Sequence, residues 1–335
     1  MATAAKKKPA AKKPAAKKPA ARKPAAKKPA AKKPAAKAAA PKKKPAPKKA
    51  PPQPIKDPMD RAAILELLRA GGLGQHLALI EPLLRHGIRL SARSLSKKAA
   101  ESLPLGASRF GGHPDLPPGV AWPTRDDVPM EFVAQIRLKD LAAHDPAGLL
   151  PHQGSLLFFY NTQWSVSDSE EDEDKYRCAA VLFHPGDDSE LVRTPPSPIQ
   201  YSDDFRTDAM VPVVHGWAAL TFSSQLVLPP GVSDFFESKA LARLKDAWQT
   251  FWSDYGDLLP PRSDDEYTDN RMLGHISDWD YVEAMLRGEQ LLLQVDSDDA
   301  ADFSWGDCDK LFFVMSEKDL AARDFSRVRL HSGLG

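Results

Sequence analysis

The sequence predicts an α+β protein whose mixed, mainly antiparallel sheets form two related halves packed with helices and preceded by a disordered basic tail. Three observations support this class: short apolar runs typical of strands, helical periodicity between them, and a strand pattern that recurs in the second half. The predicted organisation is a disordered Lys/Ala/Pro-rich tail (1–56) and a globular domain (57–335) comprising an N-terminal helical cover (57–103), a first half (104–232), and a long helix with the second half (233–335).

The N-terminal tail repeats lysine, proline and alanine every five residues over positions 7–37. Proline removes a backbone donor and stops helix propagation, so we expect a disordered, partly polyproline II chain. Residues 1–50 hold 19 of the 46 Lys and Arg residues and no Asp or Glu, which leaves 27 basic against 45 acidic residues in the rest. The formal net charge of +1 thus combines a cationic tail with a body of −18.

Clustered lysines bind phosphate groups as point charges without reading base sequence, and the tail has no aromatic side chain for base stacking. The tail therefore predicts non-specific binding of DNA or RNA. Alternatives are a solubilising spacer, or a tail that folds back onto its own acidic body. The predicted nucleic-acid contacts are Lys7, Lys8, Lys12, Lys13, Lys17, Lys18, Arg22, Lys23, Lys27, Lys28, Lys32 and Lys33.

Composition limits the class of protein further. Cys178 and Cys308 are too few for a disulfide framework and have no zinc-type spacing. The N-terminus lacks the apolar region of a secretory signal, and no apolar run approaches the roughly 18 residues of a membrane span. We expect a cytoplasmic protein without a membrane partner; the alternatives are a nucleoid-associated location or, in a eukaryote, a nuclear one.

The globular domain begins with two short helical patterns. Asp57-Pro58 is a good start for the first helix, and Gly71-Gly72 ends it. A second pattern from Leu77 to Leu84 is interrupted by Pro82. A Gly/Pro-rich structured loop over 106–124 follows.

Strands and helices then alternate along the chain. The predicted strands are MEFVAQIRL, GSLLFFYNTQ, AAVLFH, WAALTFSS, LLLQVDSD and KLFFVMS. The predicted helices are LKDLAAHD, 233–255 with a core-facing aromatic stripe, 279–286, and EKDLAAR, which a Ser316–Asp319 capping box opens. The acidic segment VSDSEEDED is expected to be a solvated loop.

Two parts of the domain repeat one pattern. EFVAQIRL with GSLLFFY matches EQLLLQVDS with KLFFVM, and LKDLAAHD matches EKDLAARD, about 160 to 180 residues apart. This repetition predicts two related halves.

The same segments resemble the YwqG-like family, also called the DUF1963 family. The matching stretches are RFGGHPDLPPGVAWP, FVAQIRL, GSLLFFYN, LLLQVDSDD, WGDCDKLFFV and DLAARDFSRV, in family order over about residues 104–330. The resemblance implies a mixed α/β globule rich in antiparallel strand and implies no activity. The chain departs from the family pattern at MLGHISDWDY, which lacks two prolines, and at the more polar RVRLHSGLG. The tail resembles the Lys-Ala-Pro tails of linker histones and of some bacterial nucleoid proteins.

Two glutamines lie inside apolar strands, where their amides either hydrogen-bond core backbone or line a cleft between the halves. Tryptophans at loop ends would give such a cleft flat apolar walls, and carboxylates would give it polar anchors. The candidate ligand pocket is Trp122, Gln135, His275, Gln294, Asp296, Trp305 and Asp307.

No catalytic signature is present: there is no G-x-S-x-G, H-E-x-x-H or P-loop. His113 and His275 have no nucleophile or metal partner at close spacing, and the aspartates of 296–309 do not match a calcium loop. No catalytic residue, metal or cofactor is therefore assigned.

The leading interpretation is a non-enzymatic protein whose tail binds nucleic acid and whose acidic body binds a ligand or a protein. One alternative is an enzyme whose cleft between the halves uses Asp296, Asp307 or His275. Another is a protein-binding or immunity-type module that captures a basic partner on its acidic face.

Overall fold

The computed structural model describes residues 51–125, 128–161, 178–196, 199–200, 209–210, 213–230, 242–260, 268–276, 288–305 and 308–334. The chain forms two units, Met1–Ala50 and Pro51–Gly335. The first unit lies outside the described residues, so the predicted disorder of the tail stays a prediction. The predicted acidic loop VSDSEEDED and the helix over 279–286 also lie outside them.

The second unit is dominated by strands. Its α-helices are α1 (Arg61–Leu68), α2 (Leu77–Ile80), α3 (Lys97–Glu101), α4 (Leu138–Leu141), α5 (Lys245–Tyr255) and α6 (Glu317–Ala322). Its longer strands are β1 (Arg85–Ser94), β6 (Glu131–Arg137), β7 (Ser155–Tyr160), β8 (Ala179–His184), β12 (Ala218–Val227), β14 (Glu289–Asp296), β15 (Cys308–Ser316) and β16 (Arg329–Leu334). The shorter ones are β2 (Arg109–Phe110), β3 (Asp115–Leu116), β4 (Thr124–Arg125), β5 (Val128–Pro129), β9 (Val192–Arg193), β10 (Ile199–Gln200), β11 (Ala209–Met210) and β13 (Arg271–Leu273).

Ten strands form one antiparallel sheet in the order β16-β15-β14-β13-β1-β12-β2-β6-β7-β8. The sheet curves strongly, as shown by contacts between aromatic rings on strands that are far apart in the strand order. Phe158 of β7 and Phe313 of β15 lie 5.2 Å apart between centroids, and Phe183 of β8 lies 5.3 Å from Phe325, just before β16. The concave face therefore encloses the main core.

Side-chain alternation divides the sheet into two faces. In β15, Leu311, Phe313 and Met315 belong to the inner core, whereas Phe312 and Val314 belong to the outer one. The same alternation in β7 sends Phe158 inward and Phe159 outward, where Phe159 packs against Phe132 and Trp122.

Helices α1 and α5 cover the outer face over the centre of the sheet. Trp248 and Phe251 of α5 are 1% and 0% exposed, and they pack with Ile64 and Leu68 of α1. The predicted core role of the aromatic stripe is confirmed for these α5 residues. The predicted N-terminal part of this helix, 233–241, lies outside the described residues.

The apolar runs MEFVAQIRL, GSLLFFYNTQ, AAVLFH, WAALTFSS, LLLQVDSD and KLFFVMS form β6, β7, β8, β12, β14 and β15, as predicted. The capping box is also confirmed: the Asp319 amide donates to Ser316 Oγ over 3.0 Å at the start of α6. Mainly antiparallel sheet with a few helices is therefore the observed class.

In the N-terminal region, the structure differs from two predictions. Helix α1 starts at Arg61 with Asp60 as its cap, because Asp57 instead accepts the Met59 amide in a separate turn. The predicted helical cover over 57–103 also contains the ten-residue strand β1 at the centre of the sheet. Its Ile88 and Leu90 alternate with polar residues and enter the inner core, which is the period of a strand.

The repeated KDLAA segments form helices that follow strands at different places in the strand order. Helix α4 follows β6, which pairs with β2 and β7, whereas α6 follows β15, which pairs with β14 and β16. By contrast, β13 and β2 hold matching positions on either side of the central β1–β12 pair.

Candidate functional site

A pocket of about 650 Å³ opens at the end of the sheet where β1 begins and β13 ends. Its floor continues the inner core, because Leu273 and Leu320 belong to both. The loop after α4 and helix α6 both contribute to its walls. Residues from both KDLAA segments, Asp145 and Arg323, therefore face one cavity.

The pocket combines apolar and charged side chains. Its lining residues are Arg85, His86, Asp145, Ala147, Gly148, Leu149, Leu273, Gly274, Gln290, Glu317, Leu320, Ala321 and Arg323. A neighbouring depression of about 400 Å³ shares Gly148 and Arg323 with it. A mostly apolar cavity with a few converging polar groups is the usual form of a small-molecule site.

Hydrogen bonds already occupy some of the polar lining. Arg85 Nη1 donates to Gln290 Oε1 over 3.2 Å, and Gln290 Nε2 donates to Glu317 Oε1 over 2.6 Å. Asp145 Oδ2 accepts the Leu150 amide over 2.8 Å, which holds the wall loop in place. Gln290 thus joins the cation and the anion at one edge of the pocket.

Of the seven pocket residues expected from sequence, the structure describes all but Asp307, and none of these six lines this cavity. Gln135 and Gln294 are 0% exposed and lie on the outer face, where their amides hydrogen-bond core groups. Gln135 accepts the Asp115 amide, and Gln294 donates to the Asp269 carbonyl. Both glutamines therefore have the first of the two roles considered for them, which is hydrogen bonding to buried groups of the core.

The other expected residues are dispersed. His275 Nε2 lies 2.6 Å from the Leu83 carbonyl oxygen, and Trp122 Nε1 donates to the Met130 carbonyl. Trp305 packs against Phe303 at 4.7 Å between ring centroids. Asp307 lies outside the described residues, so the pocket as a whole stays a prediction that the described residues do not test.

Asp296 is 3% exposed and makes polar contacts without lining any of the described pockets. Its Oδ2 accepts the Asp269 amide and the Lys310 ammonium. Burial raises the pKa of its carboxyl above the ordinary value, although Lys310 acts in the opposite direction. Nearby Asp298 accepts the Ala300 amide as a turn cap. No cluster of metal-ligating side chains was found among the described residues.

A buried ion network holds the Gly/Pro-rich loop against the outer face. Asp115 accepts Arg109 Nη1 over 3.0 Å and Arg193 Nε over 2.9 Å. Both guanidinium carbons lie over the Trp217 ring, at 5.3 Å and 5.4 Å from its centroid. Gln135 Nε2 completes the network with a bond to Asp115.

Burial and the ion pairs act in opposite directions on the pKa values of this network. Burial lowers the pKa of the Arg109 guanidinium to about 10, although Asp115 acts to raise it. Burial would also raise the pKa of the Asp115 carboxyl, but Arg109, Arg193 and two further hydrogen bonds hold it below the ordinary value. Because these side chains bind one another through ion pairs and hydrogen bonds, we interpret the network as structural.

The arginine partners of the two glutamines were not identified from sequence. Arg109 lies directly opposite Gln135, and Arg271 lies directly opposite Gln294. Each arginine precedes a Gly-His pair by three residues, in RFGGH and RMLGH. This shared spacing is the signal that could have revealed them. No comparable signal indicates the observed pocket, whose residues come from five separate segments.

Fold and site together define a class: an α+β protein with a strongly curved antiparallel sheet and a pocket at one end of its core. The family model "Domain of unknown function (DUF1963)" matches residues 108–332. The chain therefore belongs to the DUF1963 family. No curated protein matches it. Among the described residues, no helix has the length and apolar character needed to cross a membrane.

Proposed function

We propose that this DUF1963 protein is a non-enzymatic binding protein, which holds nucleic acid through its tail and a small ligand in the pocket of its globular domain. The observation that supports the ligand role is the 650 Å³ cavity, whose apolar floor and polar rim suit a small molecule. The proposed place of action is the cytoplasm, at the nucleoid or, in a eukaryote, in the nucleus.

The nucleic-acid role is supported by the charge of residues 1–50, which carry 19 basic and no acidic side chains. If about eight lysines engage duplex DNA, affinity should fall on the order of 10⁴-fold between 50 and 200 mM salt. The test is fluorescence anisotropy with duplex DNA and single-stranded RNA at several salt concentrations.

The matched control is the full-length chain with glutamine at Lys7, Lys8, Lys12, Lys13, Lys17, Lys18, Arg22, Lys23, Lys27, Lys28, Lys32 and Lys33. It should lose binding and salt dependence together. Binding that survives this change at the wild-type affinity and salt dependence would show that these twelve residues are not the nucleic-acid site and would refute their assignment.

The acidic body is proposed to compete with nucleic acid for the tail. The segment VSDSEEDED holds six carboxylates within nine residues. Replacing these six with Asn and Gln should tighten DNA binding, because a tethered anion competes at an effective concentration of order millimolar. An unchanged affinity would show that this segment is not the competitor.

An enzyme remains the rival function, and it requires carboxylates of perturbed pKa facing a cleft. Asp296 has a raised pKa, but it contacts Lys310 and lines none of the described pockets. The buried pair of His215 and Glu131, 2.9 Å apart, also lies outside these pockets. Binding therefore accounts for the described pocket better than catalysis does. A protein partner on the acidic face is the third possibility, which pull-down with the tail-neutralised chain would reveal.

We also propose that the two halves share an origin. Support comes from the RxxGH spacing at Arg109 and Arg271, and from the matching register of each arginine with a glutamine. The matching positions of β2 and β13 beside the central pair add to it. Separate superposition of 104–160 on 268–316, with aligned arginines and glutamines, tests the idea.

A further inference from the structure

The pocket has an apolar interior. Leu273 and Leu320 are 2% and 3% exposed at its floor, and Ala147 and Ala321 line its walls. Leu149 at the rim is 42% exposed; among the described leucines only Leu105, at 38%, is also exposed. Such a surface binds the apolar body of a ligand, because covering it removes apolar area from water.

The pocket lining carries two cations, Arg85 and Arg323, and two anions, Asp145 and Glu317. Each anion accepts a hydrogen bond from a neutral amide, Glu317 from Gln290 and Asp145 from the Leu150 backbone. The Arg323 side chain has no ion pair or hydrogen bond within the part of the chain that the structure describes, although it lines the pocket. Arg85 uses one guanidinium nitrogen on Gln290, and its other donors have no acceptor among the described residues.

His86 adds a further polar group. Its Nδ1 is buried without a hydrogen-bond partner among the described residues, and the side chain lines the same cavity. Buried polar atoms normally have a partner, so an unsatisfied one beside a cavity points to a group that occupies the cavity.

The backbone at Arg323 supports a role for its side chain. This residue terminates α6 with φ of 58° and ψ of 31°, the left-handed conformation that glycine adopts at helix ends without steric cost. Arginine at this position carries a steric cost that glycine would avoid. Leu273, at the floor, has φ of 60°, so two strained residues line one pocket.

We propose that the pocket binds an amphiphilic anion: a small molecule with one carboxylate or phosphate headgroup on an apolar body. Arg323 and Arg85 hold the headgroup by charge-assisted hydrogen bonds, and Leu149, Leu273 and Leu320 contact the body. This inference rests on the proposed ligand-binding function and adds the chemical class of the ligand.

The test is a ligand-observed NMR and calorimetric titration of the full-length chain with hexanoate, hexyl phosphate, hexanol and hexylamine. Both anions should bind at least about tenfold more tightly than hexanol, and the amine should bind no better than the alcohol. Comparison of hexanoate with hexyl phosphate identifies the preferred headgroup. Equal affinity for the amine and the anions would overturn the proposal.

Variants assign the effect to the pocket, since the cationic tail attracts anions in the wild type and in every variant. Arg323→Gly should reduce affinity for the anions at least about tenfold, leave hexanol binding unchanged, and leave the melting temperature equal or higher, because glycine suits the left-handed position. Arg93→Gln removes an exposed arginine from the far end of β1 and should bind both anions as the wild type does. Equal anion binding by Arg323→Gly and the wild type would refute the headgroup assignment.

Leu149→Asp separates this inference from the proposed function. Loss of hexanol and anion binding together in this variant supports a ligand pocket lined by Leu149. If all four probes bind with equal affinity and Leu149→Asp abolishes them, the pocket function stands and the anion class is wrong. If no probe binds the wild type, both the class and the pocket function fail.

Discussion

At the scale of residues, the outer face of the sheet contains charged side chains that are fully buried. Arg109 and Asp115 are both 0% exposed and form a direct ion pair. Burying such a pair carries a large desolvation cost, so it remains stable only when further hydrogen bonds satisfy it. Arg193, Gln135 and the Gly106 amide supply those bonds to Asp115.

Asp115→Asn should destabilise the protein by about 3–5 kcal/mol, because it leaves the buried Arg109 guanidinium and the partly buried Arg193 guanidinium without a counter-charge. Urea unfolding followed by tryptophan fluorescence measures this loss. The control is Asp257→Asn at an exposed position, which should change stability by less than about 0.5 kcal/mol. Equal effects of the two substitutions would contradict the structural role of the network.

Acid should weaken the same network. The pKa of Asp115 is lowered in the folded state, so its stabilising contribution is complete above the unfolded value of about 3.9 and is lost as the pH falls through the folded value. Unfolding free energies measured from pH 6 down to pH 3 should converge for the wild type and Asp115→Asn. Curves that remain parallel through this range would exclude Asp115 as a contributor to acid sensitivity.

At the scale of elements, the sequence located the long apolar strands because their alternation is strong. It missed β1, in which arginines are interspersed with Ile88 and Leu90. It misplaced the start of α1 because Asp57 and Asp60 are both suitable caps, and only the observed hydrogen bonds distinguish them. Local sequence predicts the type of a secondary-structure element more reliably than the residue at which the element begins.

Helix α5 packs closely against the turn after α1, and substitutions at two adjacent glycines of that turn test this contact. A Cβ at Gly71 would lie 2.5 Å from Phe251 Cδ2, whereas a Cβ at Gly72 meets nothing within 4 Å, although its φ is 86°. Gly71→Ala should cost about 1–3 kcal/mol through overpacking. Gly72→Ala should cost about 1–2 kcal/mol through its backbone alone.

The double variant Gly71→Ala with Phe251→Leu distinguishes these causes. A smaller side chain at 251 should recover part of the Gly71→Ala cost and none of the Gly72→Ala cost, as measured by a double-mutant cycle in urea. Additive free energies for the first pair would contradict the contact between Gly71 and Phe251.

At the scale of the whole molecule, the chain joins a cationic segment to an acidic globular unit. The globular unit begins at Pro51, and Ile55 is buried with its amide bonded to the Leu258 carbonyl. This hydrogen bond joins the first residues of the globular unit to the turn directly after α5, and Ile55 packs in the outer core. The tail and the domain can therefore be probed as separate parts of one chain.

Limited trypsin digestion of the full-length chain should remove the tail first and leave a product that begins between Ala50 and Asp57. The expected disorder of the tail exposes its many lysines, whereas the packed domain opens only by unfolding. Mass spectrometry of timed samples identifies the product. Cleavage inside the domain before the tail would contradict the predicted organisation.

The sequence by itself determined the family, the charge separation, and most of the long strands, because composition and side-chain periodicity are local properties of a chain. It also singled out Gln135 and Gln294, yet their partners were visible only once distant strands had paired. The position of β1, the strand order and the pocket were decided by tertiary structure alone. The pocket forms where five separate segments meet at the end of a curved sheet. Such a meeting depends on sheet curvature and strand pairing, which no short stretch of sequence encodes.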